Sequence, residues 1–202
     1  MRIGFIGAGT VAQTIAKHVL PRGHQIVLSN SRGAESLAPL VKQLGAGASA
    51  GSPQEAADQE LVVLAVGWWN VQKALSAIPD WRGRILVDTT NRLAGVNPFR
   101  LGDVSGRTSS EMVADHAPGA RVVKAFNSVP MAWIADTSTS KPQTVLFVSG
   151  DDPAAKKLVS DLIEQVGFTC FDLGSLAVGG RLQQLGGPLA GVRRSFVERL
   201  VL

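Results

Sequence analysis

Residues 1–20, "MRIGFIGAGTVAQTIAKHVL", decide how this chain folds. An apolar run ends at Gly7, the glycines at 7 and 9 frame a turn, and a segment rich in Ala, Ile and Val follows. "GAGTVA", residues 7–12, fits G-x-G-x-x-G/A directly after a strand pattern and directly before a helix pattern, the setting that gives this short motif its meaning. Gly7 permits the tight turn, Gly9 lets the backbone approach a pyrophosphate, and the small Ala12 lets the helix pack close to the sheet. The helix N-terminus then supplies amide donors and a favourable dipole for that anion. A glycine turn needed for packing alone is the competing reading.

Working outward, short β-rich runs recur at "RIGFIG" (2–7), "QIVLS" (25–29), "LVVLAV" (61–66), "RILVDTT" (84–90), "RVVKAF" (121–126), "TVLFVSG" (144–150) and "FTCFDL" (168–173). Helical patterns lie between most of them, which predicts an α/β fold of the Rossmann type: a doubly wound, mostly parallel sheet covered on both faces. "SPQE" at 52–55 predicts a capping box with Pro53 at the first helical position. "DDPAAKKLVSDLIEQVG" repeats the logic, with Asp152 as cap, Pro153 after it, Leu158, Leu162 and Val166 four apart, and Gly167 as the stop. Residues 101–110 and 136–141 read as loops. The chain divides into a dinucleotide-binding domain over 1–173 and a C-terminal helical segment over 174–202. That segment is too apolar for a free tail, so it is expected to pack on the domain or on a second subunit, which makes a homodimer the expected assembly.

Composition narrows the function. With 202 residues and 45% hydrophobic content, the chain can bury one core and not two large ones. The formal charge of +4 and pI near 9.6 are spread out, with basic pairs such as "KK" at 156–157 and "RR" at 193–194 and no stripe or tail, so nucleic acid is not an expected partner. The arginine surplus serves either phosphates on a small ligand or a solvated surface. The single cysteine, Cys170, excludes an internal disulfide and sits in an apolar strand-like run as a structural thiol. The N-terminal run enters a glycine turn instead of a signal-peptide core, and no window approaches ~18 apolar residues, so a soluble, cytoplasmic protein without a membrane partner is expected. His18, His24 and His116 read as structural or exposed, and no cluster has metal-ligand spacing.

"IVLSNSRG", residues 26–33, bears on the cofactor. At the end of the second strand an NAD site carries an acid that accepts hydrogen bonds from the ribose and would repel a 2′-phosphate. Ser29, Asn30, Ser31 and Arg32 stand there instead, and hydroxyls with a guanidinium suit a phosphate, which favours NADP(H). The missing acid also disfavours a methyltransferase. Later strand ends complete the cleft: Val66 and Gly67 lead into Trp68 and Trp69, of which one belongs to core or interface and one walls the cofactor. "DTTN" ends at Asn91, and "AFNSVP" begins at Ala125; these loops should meet near the nicotinamide, where Asn127 and Ser128 either hold a carboxamide or substrate carbonyl or form a polar turn.

The segments "IGFIGAGTVAQTIA", "LSNSRG", "LAVGWWNV", "LVDTTN", "RVVKAFNSV" and "FDLGSLAVGGRLQQLGGPLA" together resemble the coenzyme F420-dependent NADP oxidoreductase family, to which the cytoplasmic domains of the Steap metalloreductases are also similar. The resemblance covers nearly the whole chain, and "KAFN" and "GSLAVGGRLQ" make it more specific than a generic dinucleotide fold. It implies NADP(H) binding through Gly7, Gly9, Thr10 and Val11, with Ser29, Ser31 and Arg32. It also implies a nicotinamide near Ala125, Phe126 and Asn127, and an acceptor laid against it over the C-terminal segment. The chain has no Tyr, so the Tyr-Lys proton relay of short-chain dehydrogenases is impossible, and no catalytic side chain is assigned. Direct hydride transfer between stacked rings needs alignment more than an acid or base. The expected function is therefore NADPH-dependent hydride transfer to a deazaflavin, such as coenzyme F420, or to a flavin-like acceptor. Reduction of a small carbonyl or imine, with water or Ser128 as proton source, and a non-catalytic NADP(H) sensor are the alternatives.

Overall fold

The computed structural model describes residues 1–135 and 144–191. Its strands are β1 (Arg2–Ile6), β2 (Gln25–Ser29), β3 (Ala48–Ala50), β4 (Leu61–Leu64), β5 (Ile85–Asp88), β6 (Leu93–Val96), β7 (Phe99–Leu101), β8 (Arg121–Lys124), β9 (Val145–Gly150) and β10 (Thr169–Asp172). Its α-helices are α1 (Thr10–Val19), α2 (Ala38–Leu44), α3 (Pro53–Ala57), α4 (Val71–Ser76), α5 (Ser109–Asp115), α6 (Met131–Ala135), α7 (Pro153–Gln165) and α8 (Gly179–Gln183). The expected loop at 136–141 lies outside the described residues. No described helix is long and apolar enough to cross a membrane.

Eight of the described strands form one sheet in the order β10-β9-β8-β5-β4-β1-β2-β3. The chain moves outward from β1 through β2 to β3, then returns to the other side of β1 and moves outward again through β4, β5 and β8. Strand order therefore reverses between β1 and β4, the crevice where open α/β sheets bind ligands. Every residue of β4 and β5 is buried, as strands covered on both faces require. Ile3, Phe5, Val63 and Val87 pack with Ile15 and Ala16 of α1 and with Val159 and Ile163 of α7. On the opposite face Val62, Leu64 and Leu86 meet Val71 and Leu75 of α4, Val113 of α5 and the fully buried Trp81.

Local sequence sets the helix ends. Ser52 Oγ accepts from Glu55 N at 3.1 Å and Glu55 Oε2 accepts from Ser52 N at 2.7 Å, so the capping box forms. Asp152 Oδ1 accepts from Ala155 N at 2.6 Å at the start of α7, and Gly167 ends that segment at φ +98°.

Three features add to the reading of the sequence. β9 runs antiparallel to β8, with Val123↔Gly150 and Lys124↔Ser149 paired, while β10 runs parallel to β9, so the sheet is mostly and not wholly parallel, as expected. β3 adds a short edge strand beside β2. Residues 93–101 form an antiparallel hairpin, β6–β7, so that the expected loop at 101–110 loses its first residue to a strand and its last two to α5.

Candidate functional site at the carboxyl ends of the strands

The register lines up one row across the sheet: Ser29, Ile6, Leu64, Asp88 and Lys124 are successive cross-strand partners. The loops that leave this row bring together most of the residues picked out in the sequence. Gly7 follows Ile6 at φ +105°, and a Cβ there would lie 2.2 Å from the Ala65 carbonyl oxygen and 3.0 Å from Val66 Cγ1. Only glycine fits, and its closeness locks the first turn against the loop after β4. Gly9 caps α1 with no side-chain hydrogen bond and no acid in the first turn, and a Cβ built on it would meet nothing within 4 Å. The amides at the start of α1 are thus open to an anion on the side where Gly9 leaves room.

At the tip of β2 the expected residues divide. Ser29 is buried and its hydroxyl donates to the Phe5 carbonyl at 2.8 Å. The Ser29 side chain lies within the sheet, and its hydroxyl is already bonded, unlike the exposed Ser31 and Arg32. Asn30 Oδ1 accepts from Arg32 N at 2.9 Å, and its Nδ2 donates to Ser36 Oγ at 2.9 Å, an Asx turn that shapes the loop. Ser31 and Arg32 are exposed, and no described residue holds either side chain.

On the other side of the crevice Trp68 is half-buried with the Arg92 guanidinium 5.6 Å from its ring centroid, whereas Trp69 is 59% exposed. Asn91 and Asn127 tie two loops together. Asn127 Nδ2 donates to Asn91 Oδ1 at 3.1 Å and to the Gln183 carbonyl at 3.0 Å, while Asn91 Nδ2 donates to the Asn127 carbonyl at 2.9 Å. The Asn127 amide is therefore bound into the loops. Ala125 and Phe126 are buried, and Phe126 holds φ +58°, an uncommon conformation for a bulky residue. Asn127 Oδ1, Ser128 Oγ and Gln183 Oε1 are buried with no hydrogen-bond partner among the described residues.

Several residues at this end went unread in the sequence. Lys124 Nζ donates to Asp88 Oδ2 at 3.2 Å, to the Thr90 carbonyl at 3.0 Å, and to Ser109 Oγ and Ser110 Oγ at 3.1 and 3.0 Å. Gln183 of α8 reaches back to the Lys124 carbonyl at 3.1 Å and to Ser149 Oγ at 2.6 Å. The available signal was a Lys and an Asp ending two neighbouring apolar strands. His18 and His24 are structural ties, to the Ile134 carbonyl and to Gln165 Oε1.

A sheet whose strand order reverses beside a glycine turn and an uncapped helix start defines a Rossmann-type α/β protein. The comparisons then narrow the class. The family model for coenzyme F420-dependent NADP oxidoreductases matches residues 2–92, from β1 to the loop after β5. A hypothetical protein of Sinorhizobium meliloti, SMa0349, is 35% identical, superposes with a TM-score of 0.88, and matches over 96% of this chain and 95% of its own. A structure from Arthrobacter sp. FB24, provisionally described as an F420-dependent NADP-reductase, is 29% identical with a TM-score of 0.74 over 87% of this chain and 86% of its own. The rat metalloreductase STEAP3 is 30% identical over 178 residues, 87% of this chain and 34% of that protein. The chain spans about a third of the length of the curated relatives it matches. Over residues 2–92 the chain is thus similar to the coenzyme F420-dependent NADP oxidoreductase family.

Proposed function

We propose that the protein is an NADP(H)-dependent oxidoreductase that moves hydride between nicotinamide and a deazaflavin or flavin-like acceptor, coenzyme F420 being the foremost candidate. The observation that carries this reading is the pairing of an open, uncapped α1 start at Gly9 with an acid-free β2 tip that presents Ser31 and Arg32 to solvent. The Thr10 and Val11 amides and the glycine backbone hold the pyrophosphate. Arg32 and Ser31 hold the 2′-phosphate, with Asn30 shaping their loop. Val66, Gly67, Trp68 and Asn91 wall the crevice, and Ala125, Phe126 and the Asn127 backbone border the nicotinamide end. When bound, the nicotinamide supplies the hydride. The chain's part is to align the two rings and exclude water, which needs no proton donor.

The reading extends to a homodimer acting in the cytoplasm. Val96, Phe99 and Leu101 on the β6–β7 hairpin are exposed and offer apolar surface for a second copy. A monomer mass by light scattering at micromolar concentration would count against the dimer. The activity is tested by anaerobic rapid mixing of NADPH with coenzyme F420 and with FMN, with NADH as control. NADPH-specific reduction of either acceptor is expected; tight NADPH binding with reduction of neither would contradict the reading.

A further inference from the structure

Arg92 and Arg181 line one cleft, of about 320 Å³, between the β6–β7 hairpin and the segment after α8, and among the described residues no Asp or Glu lines it with them. Arg92 is half-buried, directly after Asn91. Its guanidinium lies over Trp68, and its Nη1 donates to Met112 Sδ at 2.9 Å, a weak acceptor. Arg181 gives one Nη2 hydrogen to the Gly106 carbonyl. Neither forms an ion pair with any described residue. Asp103 feels the Arg92 charge, but its carboxylate accepts from the Ser105 amide at 2.8 Å and the Ser105 hydroxyl at 3.2 Å. A guanidinium carries five donors in a rigid fork, so most of the donors of both arginines are left for a ligand.

The cleft borders the site already described. Leu185, on its wall, donates its amide to Asn91 Oδ1 at 3.1 Å, and Asn91 is bonded in turn to Asn127. Ser109, also on its wall, accepts from Lys124 Nζ. It lies on the β5 side of the sheet, across β1 and β4 from Arg32, and so is separate from the loop assigned to the 2′-phosphate.

We propose that this cleft binds the second substrate through an anionic group, phosphate or carboxylate, clamped between Arg92 and Arg181 while the reducible ring extends towards Asn91 and Asn127. This rests on the hydride-transfer reading above for the identity of the ligand as an acceptor. Stacking on Trp68 holds Arg92 in place before the ligand arrives. Its half-buried position against Trp68 strengthens attraction to an anion beyond what a fully solvated arginine offers. An acceptor without the charge keeps only the contacts of its ring.

The test measures dissociation constants, by fluorescence with the protein saturated in NADP⁺, for two matched pairs: FMN against riboflavin, and coenzyme F420 against its phosphate-free deazaflavin chromophore. In at least one pair the anionic member is expected to bind about tenfold tighter or more. Arg181→Glu and Arg92→Gln are each expected to erase that preference, while Arg181→Glu leaves the NADPH dissociation constant within about twofold. Equal binding within both pairs, a preference that survives in both variants, or no binding of any of the four probes would overturn the proposal. Charge-dependent binding without reduction by NADPH would instead sink the hydride-transfer reading and leave the anion cleft standing.

Discussion

Lys124 Nζ and Asp88 Oδ2 lie 3.2 Å apart with both side chains wholly buried, on strands where the two residues are direct cross-strand partners. The surrounding donors and acceptors complete the pair. Asp88 Oδ1 accepts from the Thr90 amide and hydroxyl at 2.8 and 2.7 Å, and Oδ2 accepts from Ser110 Oγ at 2.6 Å. Removing one partner strands a charge away from water. Lys124→Met is expected to lower unfolding free energy by about 3–5 kcal/mol. The double variant Asp88→Leu, Lys124→Met should recover part of that loss. Urea unfolding of the three proteins checks this, and a single variant within ~1 kcal/mol of wild type would contradict it.

The two glycines of the first turn should fail in different ways. Gly7→Ala meets both a positive φ and the Ala65 carbonyl, and should cost on the order of 3 kcal/mol or more. Gly9→Ala meets nothing in the protein, so its melting temperature should match wild type while NADPH affinity falls about tenfold or more as the methyl intrudes on the ligand's side. Thermal melts paired with NADPH titration separate the two, and unchanged NADPH affinity in Gly9→Ala would remove the pyrophosphate from this turn.

Ser29 belongs to the sheet. Ser29→Ala loses a buried hydrogen bond to the Phe5 carbonyl and should cost about 1 kcal/mol or somewhat more. The ratio of NADPH to NADH affinities should not move. A shift of that ratio in Ser29→Ala, seen by titration, would return the residue to the phosphate site.

Cys170 should be sluggish. Burial pushes its thiol up to about 11, with a weak hydrogen bond to Ser160 Oγ opposing the shift. The folded value lies above that of an unfolded thiol, so the folded chain holds its proton longer. Stability from this group is full below the unfolded value of ~8.5 and is lost as pH rises towards the folded one. At pH 8 an aromatic disulfide reagent should react with the native protein on the order of a hundredfold more slowly than with the unfolded chain. Equal rates would show an accessible thiolate.

Much of this architecture is written locally. The glycine turn, the apolar strands and the Ser52 and Asp152 caps each follow from a few adjacent residues, because turn geometry and capping are short-range chemistry. The misses come from pairing at a distance. β3 is three small residues at an edge, and of the hairpin strands "LAGV" is broken by Gly95 and "FRL" is only three residues long, so neither carries a period that marks a strand. The antiparallel direction of β9 shows only in its pairing with β8, which no local pattern records. That the Ser29 hydroxyl reaches Phe5 follows only from the cross-strand geometry. Lys124 and Asp88 each end an apolar strand in the sequence, and only the register between β5 and β8 makes them one buried pair.

The central claim is that the chain selects the phosphorylated dinucleotide through the loop after β2. Calorimetric titration of wild type and Arg32→Ala with NADPH and with NADH tests it most directly. The account predicts that wild type binds NADPH at least about tenfold tighter than NADH, and that Arg32→Ala loses most of that preference with little change in NADH affinity. Equal affinity of wild type for the two nucleotides, or an equal loss for both in the variant, would contradict it.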